Sequence, residues 1–427
     1  MADPVRAVPE ELEAELPPPP RTRAIALLEG RDFRRLYAAV AASELGDALH
    51  YIALMWVALE AGGPLGVVAV RLADSVPALI FGLHGGLAAD RWDRRKLMIA
   101  ADLTRAVVLV PVAVGGLTGH LPIWGLVLAA FALATATSYF APAYGAVVPA
   151  LVGRENVQQA NALVQATAQA LSIGGWAVAA GLLAVLPISV FIAVNAATFF
   201  VLAALIAGIG RAAGRVGHAE PPRLREGFAA LRPRPALAAG VVVLGIGVTI
   251  SAGTWIAGVP TLVRDTIGAG AGGFSLVMAG YAVGSIAGGI ALARFPVRNK
   301  ALLSMLAWVL YLPAYGLMAL GSTLGIAIAA AVAAGLGQSS SVVLLTAAAQ
   351  EDVPDALLGR VMGLISLVHR GAHATGLIFV APLFAVVEPP SVFAGAAIAL
   401  TALGVAGALT ARAAAARARG TGRSPRS

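Results

Sequence analysis

The chain of 427 residues contains no cysteine and little charge. The absence of cysteine excludes disulfide bonds and thiolate metal sites. Only 12% of the residues are charged, whereas 59% are hydrophobic, and the mean hydropathy is +0.84. A soluble domain has about 25% charged and about 45–50% apolar residues. A water-soluble fold would therefore lack polar surface, which excludes soluble enzymes and nucleic-acid-binding proteins and indicates an all-α integral membrane protein.

Sequence motifs for nucleotide hydrolysis and for common hydrolytic chemistry are missing as well. No Gly-x-x-x-x-Gly-Lys-Ser/Thr loop is present, so ATP does not drive this protein. No His-Glu-x-x-His or Gly-x-Ser-x-Gly motif occurs, and the six histidines are scattered apart from His369 and His373. A membrane enzyme needs clustered nucleophile, acid/base or metal residues. We therefore expect a protein that is not an enzyme and holds neither a cofactor nor a metal.

Twelve apolar stretches are long enough to cross a bilayer, which takes about 20 helical residues. The first six predicted spans are 34–60, 66–88, 97–118, 121–146, 158–186 and 188–210. The second six are 236–262, 271–293, 301–320, 323–349, 357–385 and 390–411. These spans predict an N-terminal bundle over 34–210 and a C-terminal bundle over 236–411. The remaining segments are a tail (1–33), a linker (211–235) that includes an amphipathic helix at 224–232, and a final tail (412–427).

Loops with basic residues alternate along the chain with loops that have almost none, and this alternation supports twelve spans. Of the 30 Lys and Arg residues, 26 lie in the tails and loops predicted on one face of the membrane. Arg264 alone lies on the opposite face, and Arg71, Arg105 and Arg370 fall within spans. By the positive-inside rule the basic face is cytoplasmic. We expect a multi-pass protein of the bacterial inner membrane with both termini in the cytoplasm.

The two bundles resemble each other in sequence. The segment Gly85-Gly-Leu-Ala-Ala-Asp-Arg91 aligns with Gly288-Gly-Ile-Ala-Leu-Ala-Arg294, 203 residues later. Pseudo-symmetric repeats of this kind are typical of transporters, whose binding sites lie between the repeats at mid-membrane.

The loop between the second and third spans carries the strongest local motif, Gly85-Gly-Leu-Ala-Ala-Asp90-Arg91-Trp-Asp-Arg94-Arg95-Lys96. Small residues let helices approach closely in membranes, and an acidic residue at a helix end can pair with an arginine or a helix N-terminus. One interpretation is a basic loop that only fixes the topology. The other is a cytoplasmic latch that forms in one conformation and breaks in the other.

This loop resembles motif A of the major facilitator superfamily, Gly-x-x-x-Asp-Arg-x-Gly-Arg-Arg/Lys, although Asp93 stands where that motif usually has glycine. The similarity extends over roughly residues 30–412. It includes features of the drug:proton antiporter branch with macrolide and enterobactin exporters, namely Glu44-Leu-Gly-Asp47, Ala160-Asn161-Ala-Leu and Gly359-Arg-Val-Met-Gly363. The resemblance implies a major facilitator fold whose cytoplasmic opening is controlled here by Gly86, Asp90, Arg91, Arg94 and Arg95. It also implies that the sixth, ninth and twelfth helices are peripheral, and their lack of charge favours contact with lipid.

Charged residues within spans are costly and are therefore functional candidates. Asp47 lies about 13 residues into the first span, near mid-membrane, with Glu44 and His50 at i−3 and i+3. A carboxylate whose cationic partner moves can load and release a proton, so Asp47, Glu44 and Arg105 are candidates for proton coupling. The alternative is a permanent ion pair. Arg105 either pairs with Asp102, one turn away on the same helix, or reaches the carboxylates of the first span.

Arg370, with His369 and His373, lies at the middle of the eleventh span. No acidic residue occurs in the same helix, so Arg370 either lines a cavity, where it contacts an anionic substrate group or Asp47, or packs against backbone carbonyls. The fifth helix carries a polar stripe, which either bonds neighbouring helices or lines the cavity. Gln338 in the tenth helix has the same two interpretations. The stripe consists of Gln158, Asn161, Gln165, Gln169 and Ser172.

Together these features predict a secondary active transporter that exports a hydrophobic or amphipathic small molecule, such as a drug, a macrolide or a siderophore-like compound, driven by inward proton flow. An importer or a lipid-moving protein of the same fold is the alternative. The sequence barely separates these hypotheses, because the direction of transport depends on ion coupling. A polytopic membrane enzyme is the third hypothesis. The expected partners are a small-molecule substrate, protons and membrane lipids, without nucleic acid, and the chain is expected to act as a monomer.

Overall fold

The computed structural model describes residues 24–153, 156–183, 185–210, 224–295, 297–321 and 323–420. All regular secondary structure in these residues is helical. The predicted tails and linker fall largely on residues 1–23, 211–223 and 421–427, which lie outside this part. The amphipathic helix predicted in the linker is present as Leu224–Leu231. It packs against the eleventh transmembrane helix, with Gly227 against the backbone of Arg360.

The first helical run, Arg31–Arg91, bends at Gly63. Gly63 has φ 60° and ψ −157°, a conformation that favours glycine because it has no Cβ, and Pro64 follows it. At 1.5 Å per residue a straight run of 61 residues would be roughly three times longer than the hydrocarbon core is thick. The run therefore crosses twice, as α1 (31–62) and α2 (64–91). The first bundle continues with α3 (Arg94–Thr118), α4 (Ile123–Val152), α5 (Val157–Leu182) and α6 (Ile188–Ala207).

The second bundle also has six long helical segments. α7 (Pro235–Thr261) continues into a π-helical turn, Leu262–Thr266, and α8 is Ala271–Arg294. α9 (Lys300–Leu320) contains a short 3₁₀ segment, Ala307–Leu310. α10 is Leu324–Asp352, α11 is Asp355–Phe379 with a 3₁₀ extension at Ala381–Ala385, and α12 is Pro389–Gly420.

The helices confirm the predicted membrane fold. Ten helical stretches of the described residues are long and apolar enough to cross a membrane, and one of them, Arg31–Gly82, contains α1 and most of α2. α5 has 26 residues, which is also sufficient length, although its polar stripe makes it less apolar. The twelve predicted spans thus correspond to twelve helices, most of whose ends differ by a few residues from the predicted ones. The exceptions are α4, which ends six residues beyond the predicted 146, and α12, which ends nine residues beyond the predicted 411 and includes the start of the predicted final tail.

Close helix pairs in both halves depend on glycine. In the second half, Gly280, Gly284 and Gly288 form a stripe on α8 that faces α10. A side chain on Gly284 would collide with the carbonyl oxygen of Val332. In the first half, Gly85 on α2 lies equally close to the backbone of Ser138 on α4. Such small-residue contacts let membrane helices pack backbone against backbone, and the equivalent contacts agree with the sequence repeat.

The two halves meet along two sets of helices. α5 packs against α8, and the α1–α2 run packs against α7 and α11. The end of the molecule with the helix termini near residues 91–94, 207–210, 294–300 and 352–360 is called the basic face below. The other end, with the turns at 63, 119–122, 183–187 and 262–270, is called the opposite face.

Candidate functional site

Asp47 lines a cavity of about 350 Å³ in the first half. It is the middle residue of α1, about 24 Å from the helix start at 1.5 Å per residue, yet it is exposed to this cavity. The Ser43 hydroxyl donates to one carboxylate oxygen at 3.1 Å, and the Asn195 amide of α6 donates to the other at 3.1 Å. Glu44 and His50 line the same cavity, so the helix spacing brings these three groups together as predicted from the i−3 and i+3 positions.

Arg105 adopts the intrahelical pairing. Its Nη1 lies 2.9 Å from Oδ1 of Asp102, and both side chains are almost fully buried. The guanidinium also lies over the rings of Phe140 and Phe199, at 4.7 and 5.2 Å from their centroids. Because Arg105 lines the cavity that contains Asp47, it adds positive charge there without forming an ion pair with Asp47 among the described residues.

His50 has no hydrogen-bond partner for either ring nitrogen in the part of the chain that the structure describes, although it is buried. Arg71 pairs with Asp74 at 2.9 Å towards the opposite face. The first cavity therefore combines the carboxylates of Glu44, Asp47 and Asp74 with two arginines and one histidine.

A second, larger cavity of about 570 Å³ lies between the halves. α5 contributes Gln169 and Trp176, and α11 contributes His369 and His373. The other residues come from α7, α8, α9 and α10 and are mainly aromatic or small. They include Ser251, Trp255, Tyr281, Ser285, Tyr311, Tyr315, Gln338 and Ser339. None of the described residues that line this cavity carries a carboxylate.

α9 was expected to face lipid as a peripheral helix, and its exposed leucines agree with this, but the helix also contributes to the large cavity. Tyr311 and Tyr315 are fully buried and line the large cavity. The Tyr311 hydroxyl donates to Gln338 Oε1 at 3.0 Å, and the Tyr315 hydroxyl donates to the Ser251 carbonyl at 3.0 Å. The tyrosine side chains are long enough to bring polar atoms of this peripheral helix to the cavity. The tyrosine spacing of four residues, one helical turn, was the sequence signal for a buried face.

Arg370 lies in a separate side chamber of about 230 Å³ between α7, α10 and α11. Ser366, Thr346 and His369 also line this chamber, and it shares Val342 and His369 with the large cavity. Arg370 and Asp47 line different cavities in this conformation, so the predicted contact between them is absent here.

The predicted polar residues of α5 and α10 differ in their surroundings, and Ser172 is half-buried outside the wall of the large cavity. Gln169 and Gln338 line the large cavity. Gln165 and Asn161 are exposed and form no side-chain hydrogen bond with the described residues. The side chain of Gln158 lies outside the described part of the molecule.

Two of the predicted latch residues form side-chain hydrogen bonds with the described residues, and two do not. Arg95 donates to the carbonyls of Ile206 and Ala207 at the end of α6, and buried Arg94 donates to the carbonyl of Ala89. Asp90 and Arg91 are exposed and have no side-chain partner among the described residues. Gly85, rather than Gly86, makes the close helix contact, because a Cβ on Gly86 would meet open space.

The halves are joined near the opposite face. Both hydrogen bonds that connect the halves within the described residues lie there: Arg264 Nη1 donates to the Leu59 carbonyl at 2.7 Å, and the Ser275 hydroxyl donates to the Trp176 carbonyl. The rings of Trp56 and Phe274 also stack across the two halves, with their centroids 6.3 Å apart. The structure therefore shows a conformation held together at the opposite face, with Asp90 free at the basic face.

We predict that Arg264→Gln weakens this contact. A hydrogen bond from a charged donor contributes about 1.5–3 kcal/mol, so the ratio of open to closed molecules at this face should rise roughly tenfold or more. Because the chain has no cysteine, spin labels attach only at introduced positions. Labels at His120→Cys and Leu320→Cys, both exposed on the opposite face, should show a larger population of long distances by pulsed electron spin resonance. Arg298→Gln at the basic face is the control, and an unchanged distance distribution for Arg264→Gln would contradict the prediction.

Known proteins are similar to this chain in sequence and in fold. A family model described as a transmembrane secretion effector matches residues 22–419. The chain belongs to this family of major facilitator transporters. Macrolide efflux protein A of Streptococcus pyogenes is 27% identical over 367 residues, covering 83% of this chain and 89% of that protein. The solved structure of the nucleoside transporter NupG has a TM-score of 0.67 at 13% identity and covers 88% of this chain and 98% of its own. A bacterial homologue of the lysosomal transporter Spinster, solved in an inward-facing and unoccupied conformation, has a TM-score of 0.61 at 13% identity and covers 89% and 95% of the two chains.

Membership of this family confirms several of the expectations that came from the sequence. As a major facilitator transporter the chain is a multi-pass membrane protein that binds a small-molecule substrate, and it is not an enzyme. The identity to macrolide efflux protein A agrees with the predicted resemblance to the macrolide exporter branch.

Proposed function

We propose that this major facilitator transporter exports a hydrophobic or amphipathic small molecule across the bacterial inner membrane in exchange for protons. Both termini and the basic face lie in the cytoplasm in this proposal, as the positive-inside rule requires. The main support for this proposal is the large cavity, which has a volume of about 570 Å³ and lies between the halves. Sites for drug-sized ligands have volumes of about 300–1,000 Å³ and are lined mostly by apolar and aromatic groups with few polar ones.

The large cavity and the carboxylates of Asp47 and Glu44 lie in separate parts of the molecule. This separation suits an exchange of substrate for protons. Asp47 and Glu44 line their own cavity in the first half, so a proton and a substrate do not need to occupy the same place. Among the described residues, Asp47 accepts hydrogen bonds from the neutral groups of Ser43 and Asn195 and forms no permanent ion pair that would hold it charged. We infer that Asp47 carries the coupled proton, with Glu44 as its neighbour and Arg105 as the nearby positive charge.

Access to the cavity alternates between the two faces in this proposal. In the present conformation the contacts of Arg264, Phe274 and Ser275 join the halves at the opposite face, and we infer that they close the cavity on that side. Asp90 and Arg91 are exposed at the basic face and have no side-chain partner within the described part of the chain, and we infer that they engage the second half when this face closes. Arg94 and Arg95 hold the latch loop to the first half meanwhile.

Transport in liposomes tests the proposal. Purified protein is reconstituted, a radiolabelled macrolide is added outside, and the lumen is made acidic. Because exchange moves substrate against the proton flux, we expect accumulation in the lumen above the level in protein-free liposomes, which measures passive partitioning. Trapped pyranine should report proton release from the lumen when substrate is added. Accumulation only with an alkaline lumen would indicate symport, and no dependence on the gradient would contradict proton coupling.

A further inference from the structure

Arg370 is a cation at bilayer depth that has no counter-ion among the described residues. It lies about 22 Å from the start of α11 at 1.5 Å per residue, at the middle of the membrane-spanning segment. It is exposed to the side chamber, and among the described residues it forms no ion pair or hydrogen bond. The cost of an arginine at this depth is lowered by a partner or by water, and no residue of the described chain supplies the partner.

In the part of the chain that the structure describes, the acidic residues at bilayer depth lie in the first half. Glu44, Asp47 and Asp74 line the cavity of the first half, and Asp102 is paired with Arg105. Among the described residues, no carboxylate lines the side chamber or the large cavity. A negatively charged ligand group would therefore meet Arg370 without repulsion from a neighbouring acid.

The side chamber and the large cavity are adjacent, since Val342 and His369 line both. The side chamber offers a guanidinium together with the hydroxyls of Ser366 and Thr346. The large cavity beyond it offers aromatic surface, including Trp255 and Tyr281, whose ring centroids are 4.6 Å apart. One end of the combined space is thus suited to an anion and the other to an apolar body.

We propose that Arg370 and the side chamber bind the negatively charged head of an amphipathic organic anion, such as a carboxylate, while its apolar body lies in the large cavity. A guanidinium binds a carboxylate through two parallel hydrogen bonds, which adds both strength and orientation. This inference rests on the proposed function and narrows its substrate class: among amphipathic compounds the protein prefers anions to neutral compounds of the same shape.

A matched pair of probes tests this preference. The probes are 11-(dansylamino)undecanoic acid and its methyl ester, which differ in one negative charge. Binding is measured by dansyl fluorescence to the purified protein in phosphatidylcholine nanodiscs, with empty nanodiscs as background. For the wild type we expect the acid to bind at least about tenfold more tightly than the ester, as a charge-assisted bond requires.

Variants at Arg370 identify the source of the preference. Arg370→Gln should bind the acid and the ester equally, with ester affinity unchanged, and Arg370→Lys should keep part of the preference. Arg298→Gln removes one positive charge at the basic face and should keep all of it. Unchanged ester binding by Arg370→Gln also shows that this variant is folded.

Each other outcome has a distinct meaning. Equal binding of acid and ester to the wild type, or a preference that survives in Arg370→Gln, would overturn the inference while leaving the proposed function intact. Failure of both probes to bind the wild type would count against the amphiphile cavity itself and hence against both. Loss of the preference when phosphatidylglycerol is added to the nanodiscs would assign the chamber to a lipid headgroup and overturn its role in substrate selection.

Discussion

Asp47→Asn is expected to abolish gradient-driven accumulation while leaving exchange of labelled for unlabelled substrate close to the wild-type rate. Asparagine has the size of aspartate and can still accept a hydrogen bond from Ser43 or Asn195, which lie 3.1 Å from the carboxylate oxygens. It cannot carry a proton. The large cavity does not include Asp47, so substrate binding should persist and only coupling should be lost.

The measurement compares two assays on the same proteoliposomes. Accumulation with an acidic lumen should fall to the level of protein-free liposomes, and counterflow without a gradient should continue. Glu388→Gln is the matched control, because Glu388 is exposed at the opposite face and its side chain has no partner among the described residues. Accumulation that survives in Asp47→Asn would remove this residue from coupling. Loss of counterflow as well would place Asp47 in substrate binding instead.

Gly284→Leu is expected to cause the largest loss of stability in the second half. Gly284 lies against the backbone of Val332, and Gly335 of α10 lies against the backbone of Tyr281. A leucine at this contact would force α8 and α10 apart. Overpacking a well-packed interior costs about 1–3 kcal/mol, and displacement of backbone rather than a side-chain tip should place this variant at the upper end of that range.

Thermal unfolding of the detergent-purified protein measures this effect. The matched control is Gly395→Leu, because a Cβ on Gly395 meets open space and leucine favours a helix over glycine. We expect a clear drop in the melting temperature for Gly284→Leu and no drop for Gly395→Leu. Equal melting temperatures would mean that α8 and α10 separate without cost, and the backbone contact would then have no structural importance.

The membrane fold was predictable because a bilayer imposes a minimum length on each apolar helix. The break between the first two spans was expected between residues 60 and 66, and the chain bends at Gly63. The glycine stripe of α8 and the contact of Gly85 agree with the repeat found in the sequence. These features depend on local composition and spacing, which are fixed along the chain.

The partners of the charged groups were less predictable. Two pairings were open for Arg105, and the structure has the pair with Asp102. Contact between Asp47 and Arg370 was one possibility, yet the two residues line different cavities. Helix periodicity identifies residues that share a face, but the rotation of each helix against its neighbours decides what that face meets.

Hydropathy and charge along the chain were sufficient to predict a membrane protein with twelve helical spans in two related halves and a few ionisable residues within those spans. The packing of the helices was needed to show that Tyr311 and Tyr315 of α9 line the large cavity. It also showed that the halves are joined near Arg264 and that Arg370 lines a separate side chamber. The reason is that hydropathy depends on each residue and its neighbours in the chain, whereas a cavity is formed by side chains from several helices whose packing no single segment encodes.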